Sequence, residues 1–301
     1  MKTFTIRDIE SLTGIKSHTL RIWEQRYGIP KPKRTKTNIR YYDDDDLKLL
    51  LNVSLLNRQG YKISKITALS KTEMEELVLS YSMECDDTTV QVDCLMSAMF
   101  NLDESAFERL LSTHLMKQGL ESTLMDLFFP FLNRIGNLWL AGQVNPAFEH
   151  FFSNLVRQKV IVAIDAQSAA RKKDGKTFVL YLVKGELHEL GLLFANYMVR
   201  SEGHHTIYLG QNLPCTELKA VLDKTNSDYI LTTLTNTVPS GDLQTYINNM
   251  SELFTTQKII LTGRLICEAK DLKLPDNVIL MRDMRELKPF IIEDAQLATS
   301  R

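Results

Sequence analysis

Three hydrophobic rhythms follow one another along the chain. Near the start, apolar side chains are few and recur at helical spacing. Ile6, Ile9 and Leu12 form one stripe and Leu20 with Trp23 another, with Gly14 between them. That pattern predicts a helix, a tight turn and a second helix. Thr5, with Asp8 three residues on, is a capping-box pair for the first helix. Ser17 is expected to cap the second, which runs over 17–26. From about 75 to 168 apolar residues recur at three- and four-residue intervals, through 106–115, 124–138 and 148–164, which predicts helices. Prolines 130 and 146 start or break helices here, and a four-helix bundle is the economical assembly. Beyond about 175, short apolar runs alternate with amphipathic stretches. Strands are expected at 177–183, 205–209, 229–234, 258–262 and 278–281, and helices at 190–202, 216–225, 240–255 and 284–293. Such βα alternation predicts a doubly wound parallel sheet.

Composition alters this picture in one place. The chain has 301 residues, 44% of them hydrophobic and 24% charged, with a net charge of -1, as for an ordinary globular protein of two or three domains. Residues 1–40, however, hold ten basic side chains against three acidic ones, a local net of +7. That asymmetry points to nucleic acid as the partner of the N-terminal segment. The run 30–42 is a basic, hairpin-like wing ending in Tyr41 and Tyr42, and the acidic run 43–46 caps the helix after it. In a helix-turn-helix the second helix enters the major groove. His18, Thr19, Arg21, Arg26 and Tyr27 on that helix, and Arg34, Lys36, Arg40 and Tyr41 in the wing, are therefore the candidate DNA contacts. The four cysteines lack C-x-x-C spacing and read as reduced thiols. No apolar run reaches the roughly 18 residues of a membrane span and no signal-peptide core is present, so a cytoplasmic protein with no membrane partner is expected.

Candidate chemistry lies in loops. Glu186-x-His188-x-x-Gly191 follows the first strand of the sheet. A loop histidine whose second ring nitrogen is held by a carboxylate is a ready metal ligand, and a glycine lets a planar ligand approach the backbone. The segments 210–214, 232–235 and 262–263 end the next three strands on the same edge, where such sheets bind ligands. In the helical segment Trp139 is followed after nine residues by Glu149-His150. Taken alone, Trp139 reads as a bundle core residue and Glu149-His150 as a capping pair. His204-His205 precedes a strand and reads as surface. No Ser-His-Asp set, Walker loop or metal cluster suggests catalysis, so no enzyme is expected.

The string 19–28, Thr-Leu-Arg-Ile-Trp-Glu-Gln-Arg-Tyr-Gly, with the Arg40-Tyr41-Tyr42 wing, resembles the MerR-type transcription regulators over roughly residues 3–70. The resemblance implies dimers on palindromic promoter DNA. The C-terminal loops resemble a cobalamin-binding Rossmann-like domain. Glu186-x-His188-x-x-Gly191 is followed after 41 residues by Thr233-Leu234-Thr235, and after 26 more by Thr262-Gly263. Thr233 stands for the family's serine and Thr262 for the first glycine of its Gly-Gly pair; the turn that begins Leu209-Gly210 also matches. Trp139-x9-Glu149-His150 is similar to the bundle motif of CarH-like regulators. By implication His188 would be the lower axial ligand of cobalt, oriented by Glu186. Trp139, Glu149 and His150 would frame the upper ligand of adenosylcobalamin or methylcobalamin. The remaining cofactor-binding candidates are Gly191, Gly210, Thr233, Thr235, Thr262 and Gly263. Light-sensing members carry a histidine after the motif tryptophan; Leu140 stands here and cannot ligate metal, which weakens a light response of that type.

The expected protein is thus multidomain, α and α/β. A winged helix-turn-helix (1–74) precedes a four-helix bundle (75–170) and a Rossmann-like doubly wound parallel sheet (171–301). Its expected function is a DNA-binding regulator whose homo-oligomerisation (dimer or tetramer) and promoter binding are controlled by cobalamin held between the last two segments, with promoter occupancy and repression as the expected outcome. The alternatives are a cobalamin-independent MerR-type regulator whose C-terminal half binds a protein or another ligand, and a cobalamin carrier module of a methyltransferase.

Overall fold

The computed structural model describes residues 3–299 apart from 86, 141, 143, 168–171, 173, 239 and 240; the side chains of 82–84, 139, 140 and 294–299 lie outside the description. The chain folds as two compact units, Met1–Ser153 and Asn154–Arg301.

The first unit begins with α1 (Ile6–Thr13), closed by the expected Thr5–Asp8 capping box, and Gly14 in the left-handed region turns the chain into α2 (Ser17–Tyr27). Ser17 is the first helical residue of α2 and not its cap. The cap position is Lys16, and the Glu10 carboxylate of α1 accepts from Ser17 N (3.1 Å) and Oγ (2.5 Å). A tertiary partner has replaced the local one. The wing is a two-stranded ribbon, β1 (Lys33–Arg34) against β2 (Arg40–Tyr41). Asp43 and Asp46 then form a capping box on α3 (Asp44–Arg58). The short α4 (Ile63–Ile66) leads to α5 (Lys71–Glu84), α6 (Thr88–Asn101) and α7 (Glu104–Ser122).

A π-helical turn (Thr123–Phe128) precedes α8 (Phe129–Leu140), so the apolar periodicity over 124–138 spans two elements that part next to Pro130, where a helix start or break is expected. Pro130 has no amide to donate, and the ladder shifts register just before it, with Phe129 N donating to Leu124 O. Last comes α9 (Pro146–Ala166), whose first turns belong to the first unit. Phe107, Phe131 and Phe152 are fully buried and join α7, α8 and α9, with Phe107 and Phe152 ring centres 4.3 Å apart.

The second unit is a five-stranded parallel sheet of β3 (Thr177–Val183), β4 (His205–Leu213), β5 (Tyr229–Thr233), β6 (Lys258–Thr262) and β7 (Val278–Leu280), in the order β4-β3-β5-β6-β7. Between and after the strands run α10 (Leu190–Ser201), α11 (Cys215–Leu222), α12 (Leu243–Leu253), α13 (Arg264–Glu268) and α14 (Leu287–Thr299). The three central strands β3, β5 and β6 are almost wholly buried, as helices on both faces require, while the edge strand β4 is half-buried to exposed. The order reverses between β3 and β5, so the loops after these two strands diverge and leave a crevice at their carboxyl ends.

Two expectations need correction. Strand β4 does not stop at 209. It stays paired through Leu213 because register shifts opposite Leu180–Val183, with Gly210 (φ +76°) and Asn212 (φ +58°) left-handed, absorb the extra residues. His204 is buried, not on the surface; its Nδ1 accepts from Lys176 N at 3.0 Å.

Candidate functional site

The β3–α10 loop and the segment after β5 meet at the crevice through one carboxylate. Glu186 is 1% exposed. Its Oε1 accepts from the amides of Leu187 (3.0 Å) and His188 (3.1 Å) and lies 2.5 Å from His188 Nδ1. Its Oε2 accepts from the amides of Thr235 (3.0 Å), Asn236 (2.8 Å) and Thr237 (3.2 Å). Burial alone would raise the carboxyl's pKa. Hydrogen bonds from His188 and from the amides of Asn236 and His188 outweigh it and hold the value at about 2. The imidazole is therefore fixed through Nδ1 while Nε2 points away from the carboxylate, the arrangement that makes histidine a metal ligand. The His188 side chain is 55% exposed.

Glu189, next in the same loop, is also buried. It accepts from Arg157 Nε of α9, from Tyr208 Oη and from Gln211 Nε2 of β4, each at 2.8 Å. Burial raises its pKa, but the bonds from Arg157 and Tyr208 prevail and lower it. Burial and the Glu189 carboxylate together push the Tyr208 hydroxyl up. Asn212 Oδ1 accepts from Gly185 N at 2.8 Å, so the far end of β4 anchors the start of the loop. These partners were missed in the sequence. Gln211 and Asn212 lie within the singled-out segment 210–214 and Asn236 directly follows Thr235, whereas Arg157 carries no local signal.

The threonines at the strand ends test whether the crevice suits a ligand. Thr233 is 2% exposed, and its hydroxyl is buried with no hydrogen-bond partner. It faces Gly191, where an added Cβ would sit 3.6 Å from Thr233 Cγ2 and 3.9 Å from Oγ1. A buried hydroxyl without a partner costs about 1–3 kcal/mol, and one aimed between β5 and the start of α10 fits a polar group arriving there. Thr262 lies beside Thr233 in register and is buried; its carbonyl accepts from Leu234 N at 2.8 Å. Gly263 has a structural reason of its own. A Cβ there would lie 2.6 Å from Leu234 O and 2.8 Å from Leu234 N, at φ +105°. Thr235 is half-buried beside Glu186, and Gly210 lies on the edge strand opposite Tyr181.

In the helical segment, α8 carries Trp139 in its last turn, and that side chain, like Leu140's, lies outside the described residues. Glu149 and His150 are in the first turns of α9, with His150 Nδ1 2.8 Å from Glu149 Oε2. They are not the cap: Ala147 N donates to Asn145 Oδ1 at 3.0 Å.

In the DNA-binding head, His18, Arg21 and Arg26 of α2 and Arg34 and Lys36 of the wing are exposed, while Thr19, Tyr27, Arg40 and Tyr41 are half-buried. Arg40 Nε lies 2.9 Å from Glu24 Oε2 and Arg34 Nη2 3.8 Å from Glu24 Oε1, so one carboxylate on α2 ties the wing to the recognition helix.

Residues 4–73 match the MerR HTH family regulatory protein model, and residues 92–163 match a B12 binding domain. The chain joins a MerR-type DNA-binding domain to a B12-binding domain. Such a regulator is similar to the HTH-type transcriptional repressors CarH (28% identical, 73% of this chain and 75% of the relative) and CarA (27%, 76% and 75%) of Myxococcus xanthus. The head alone is similar to the HTH-type transcriptional regulator MlrA of Escherichia coli (33% identical, 24% of this chain and 30% of the relative). In fold, the regulator resembles the Methanosarcina barkeri monomethylamine corrinoid protein, with a TM-score of 0.51 and 13% identity over 66% of this chain and 95% of the other. Its domain content is that of a cobalamin-binding transcriptional regulator, not of an enzyme. Among the described residues no helix is long and apolar enough to cross a membrane.

Proposed function

We propose that this protein is a cytoplasmic repressor that binds palindromic promoter DNA and whose assembly is controlled by adenosylcobalamin or methylcobalamin. The observation that carries the reading is the His188–Glu186 pair at the strand-order switch, behind a MerR-type head. Bound there, cobalamin would supply a cobalt centre open to a protein ligand. His188 would ligate the cobalt, Glu186 orients it, and the Thr233 hydroxyl, Thr235 and the 262–263 turn would receive the nucleotide side. Trp139, Glu149 and His150 would cover the bound cofactor, by the resemblance to CarH-like regulators, and Gly191 and Gly210 shape the loops.

The segments 1–74, 75–170 and 171–301 act as head, cap and base in this reading. A ligand shifts an equilibrium between arrangements only by its differential affinity for them. The loaded arrangement self-associates to a dimer or tetramer, and linked heads gain DNA affinity through effective concentration. On DNA, His18, Thr19, Arg21, Arg26 and Tyr27 meet the groove, while Arg34, Lys36, Arg40 and Tyr41 lie along the backbone.

The test is an absorbance titration of the dark protein with adenosyl-, methyl- and hydroxocobalamin, beside His188→Ala. A base-off, histidine-ligated spectrum lost in the variant is expected. No spectral change with any form would leave a MerR-type regulator whose C-terminal half takes another ligand or a protein.

A further inference from the structure

Both ring nitrogens of His188 are engaged, and the second by a residue outside the motif. Asn236 Nδ2 lies 3.2 Å from His188 Nε2. Asn236 Oδ1 accepts from Arg264 Nη2 at 2.5 Å, and the same guanidinium nitrogen donates to Thr235 O at 3.3 Å. Donor chemistry gives this chain one direction. A guanidinium only donates, so Asn236 turns its oxygen to Arg264 and its NH2 to the ring. An NH2 only donates, so Nε2 accepts. A neutral imidazole accepting at Nε2 carries its proton on Nδ1, which meets the acceptor-only carboxylate of Glu186. The sequence Arg264 to Asn236 to His188 to Glu186 therefore sets the tautomer in which Nε2 keeps its lone pair for metal.

We infer that Asn236 is a positioning residue that covers His188 Nε2 before cobalamin arrives, and that Arg264 holds the cover in place. The inference rests on the reading of His188 as the cobalt ligand. Backbone and side chain of Asn236 have separate tasks: its amide helps hold Glu186, and its carboxamide alone covers the ring. Only the side chain must swing aside for cobalt, and Asn236 is exposed, so water can take over its hydrogen bonds. The cover keeps the ring metal-ready and sets a kinetic barrier to loading.

The experiment is stopped-flow absorbance with hydroxocobalamin on the full-length protein, for wild type, Asn236→Ala and Arg264→Ala. It is paired with long-range 15N–1H NMR of the imidazole in the cofactor-free protein. Removing one neutral hydrogen bond is expected to speed association about 2- to 10-fold in Asn236→Ala and less in Arg264→Ala, with an unchanged final spectrum. The NMR is expected to place the wild-type proton on Nδ1. Equal association rates, a wild-type proton on Nε2, or faster dissociation in Asn236→Ala would overturn the cover. A wild type with no His188-dependent spectrum would instead overturn the cobalamin reading, and the cover with it.

Discussion

Glu186 concentrates the site's electrostatics in one side chain. Five backbone amides and a ring nitrogen converge on a carboxylate 1% exposed, and its pKa falls from 4.5 to about 2. A carboxyl depressed in the folded state adds stability above its unfolded pKa and loses that contribution as pH falls through the folded value. The melting temperature of the cofactor-free protein is therefore expected to fall between about pH 4.5 and 2, by less in Glu186→Gln. A Gln whose pH profile matches wild type would remove this carboxyl as the source. Glycine roles separate at the same scale. Gly263→Ala forces a Cβ within 2.6 Å of Leu234 O at a positive φ and is expected to destabilise by about 2–4 kcal/mol. Gly191→Ala meets only ordinary contacts and should change stability by under about 1 kcal/mol. Denaturant unfolding of the two variants distinguishes them.

Two helices of the B12-binding segment are tied to the elements they are proposed to serve. In the first unit, Asp93 of α6 is 5% exposed and pairs with both Arg58, at the end of α3, and Arg134 of α8. Arg134 Nη2 also donates to Leu12 O of α1 at 3.3 Å. The helix that carries Trp139 is thereby fastened to the DNA-binding head. The arginines are half-exposed and Asp93 is not, so the effects of substitution are unequal. Arg58→Ala with Arg134→Ala strands a buried carboxylate and is expected to cost about 2–4 kcal/mol, whereas Asp93→Ala releases two arginines into water and costs less. Equal losses in urea unfolding would refute that asymmetry. In the second unit, Arg157 of α9 holds Glu189 beside His188. The elements themselves were legible from periodicity, but their fastenings were not: a buried aspartate between two arginines has no spacing rule.

For the whole molecule, the proposed control requires cobalamin to favour one assembly strongly. Moving an equilibrium from 1:99 to 99:1 takes a differential affinity of about 10⁴-fold. Linkage is reciprocal, so a DNA site selected for tight binding should raise cobalamin affinity by the factor by which cobalamin raises DNA affinity. Titrations in both directions check this, and unequal factors would mean that the two ligands do not act on one equilibrium. The basic head, net +7 over 1–40, implies strong salt dependence. With Lys36 on the phosphate backbone, as proposed, Lys36→Ala should lower the slope of log affinity against log salt by about 1 per head bound.

What the sequence alone determined is what depends on neighbours within a few residues. The order of helices and strands, the capping boxes at Thr5–Asp8 and Asp43–Asp46, the Gly14 turn and the Glu186–His188 pair all follow from local backbone geometry. The tertiary structure decided everything that joins distant segments. It placed Asn236 on a ring 48 residues away, Arg157 on Glu189 and Arg134 on Leu12 O, capped α2 with Glu10, and kept β4 paired to Leu213. Those partners depend on strand order and helix docking, which bring residues together only after long loops have closed, and a linear pattern does not encode that distance.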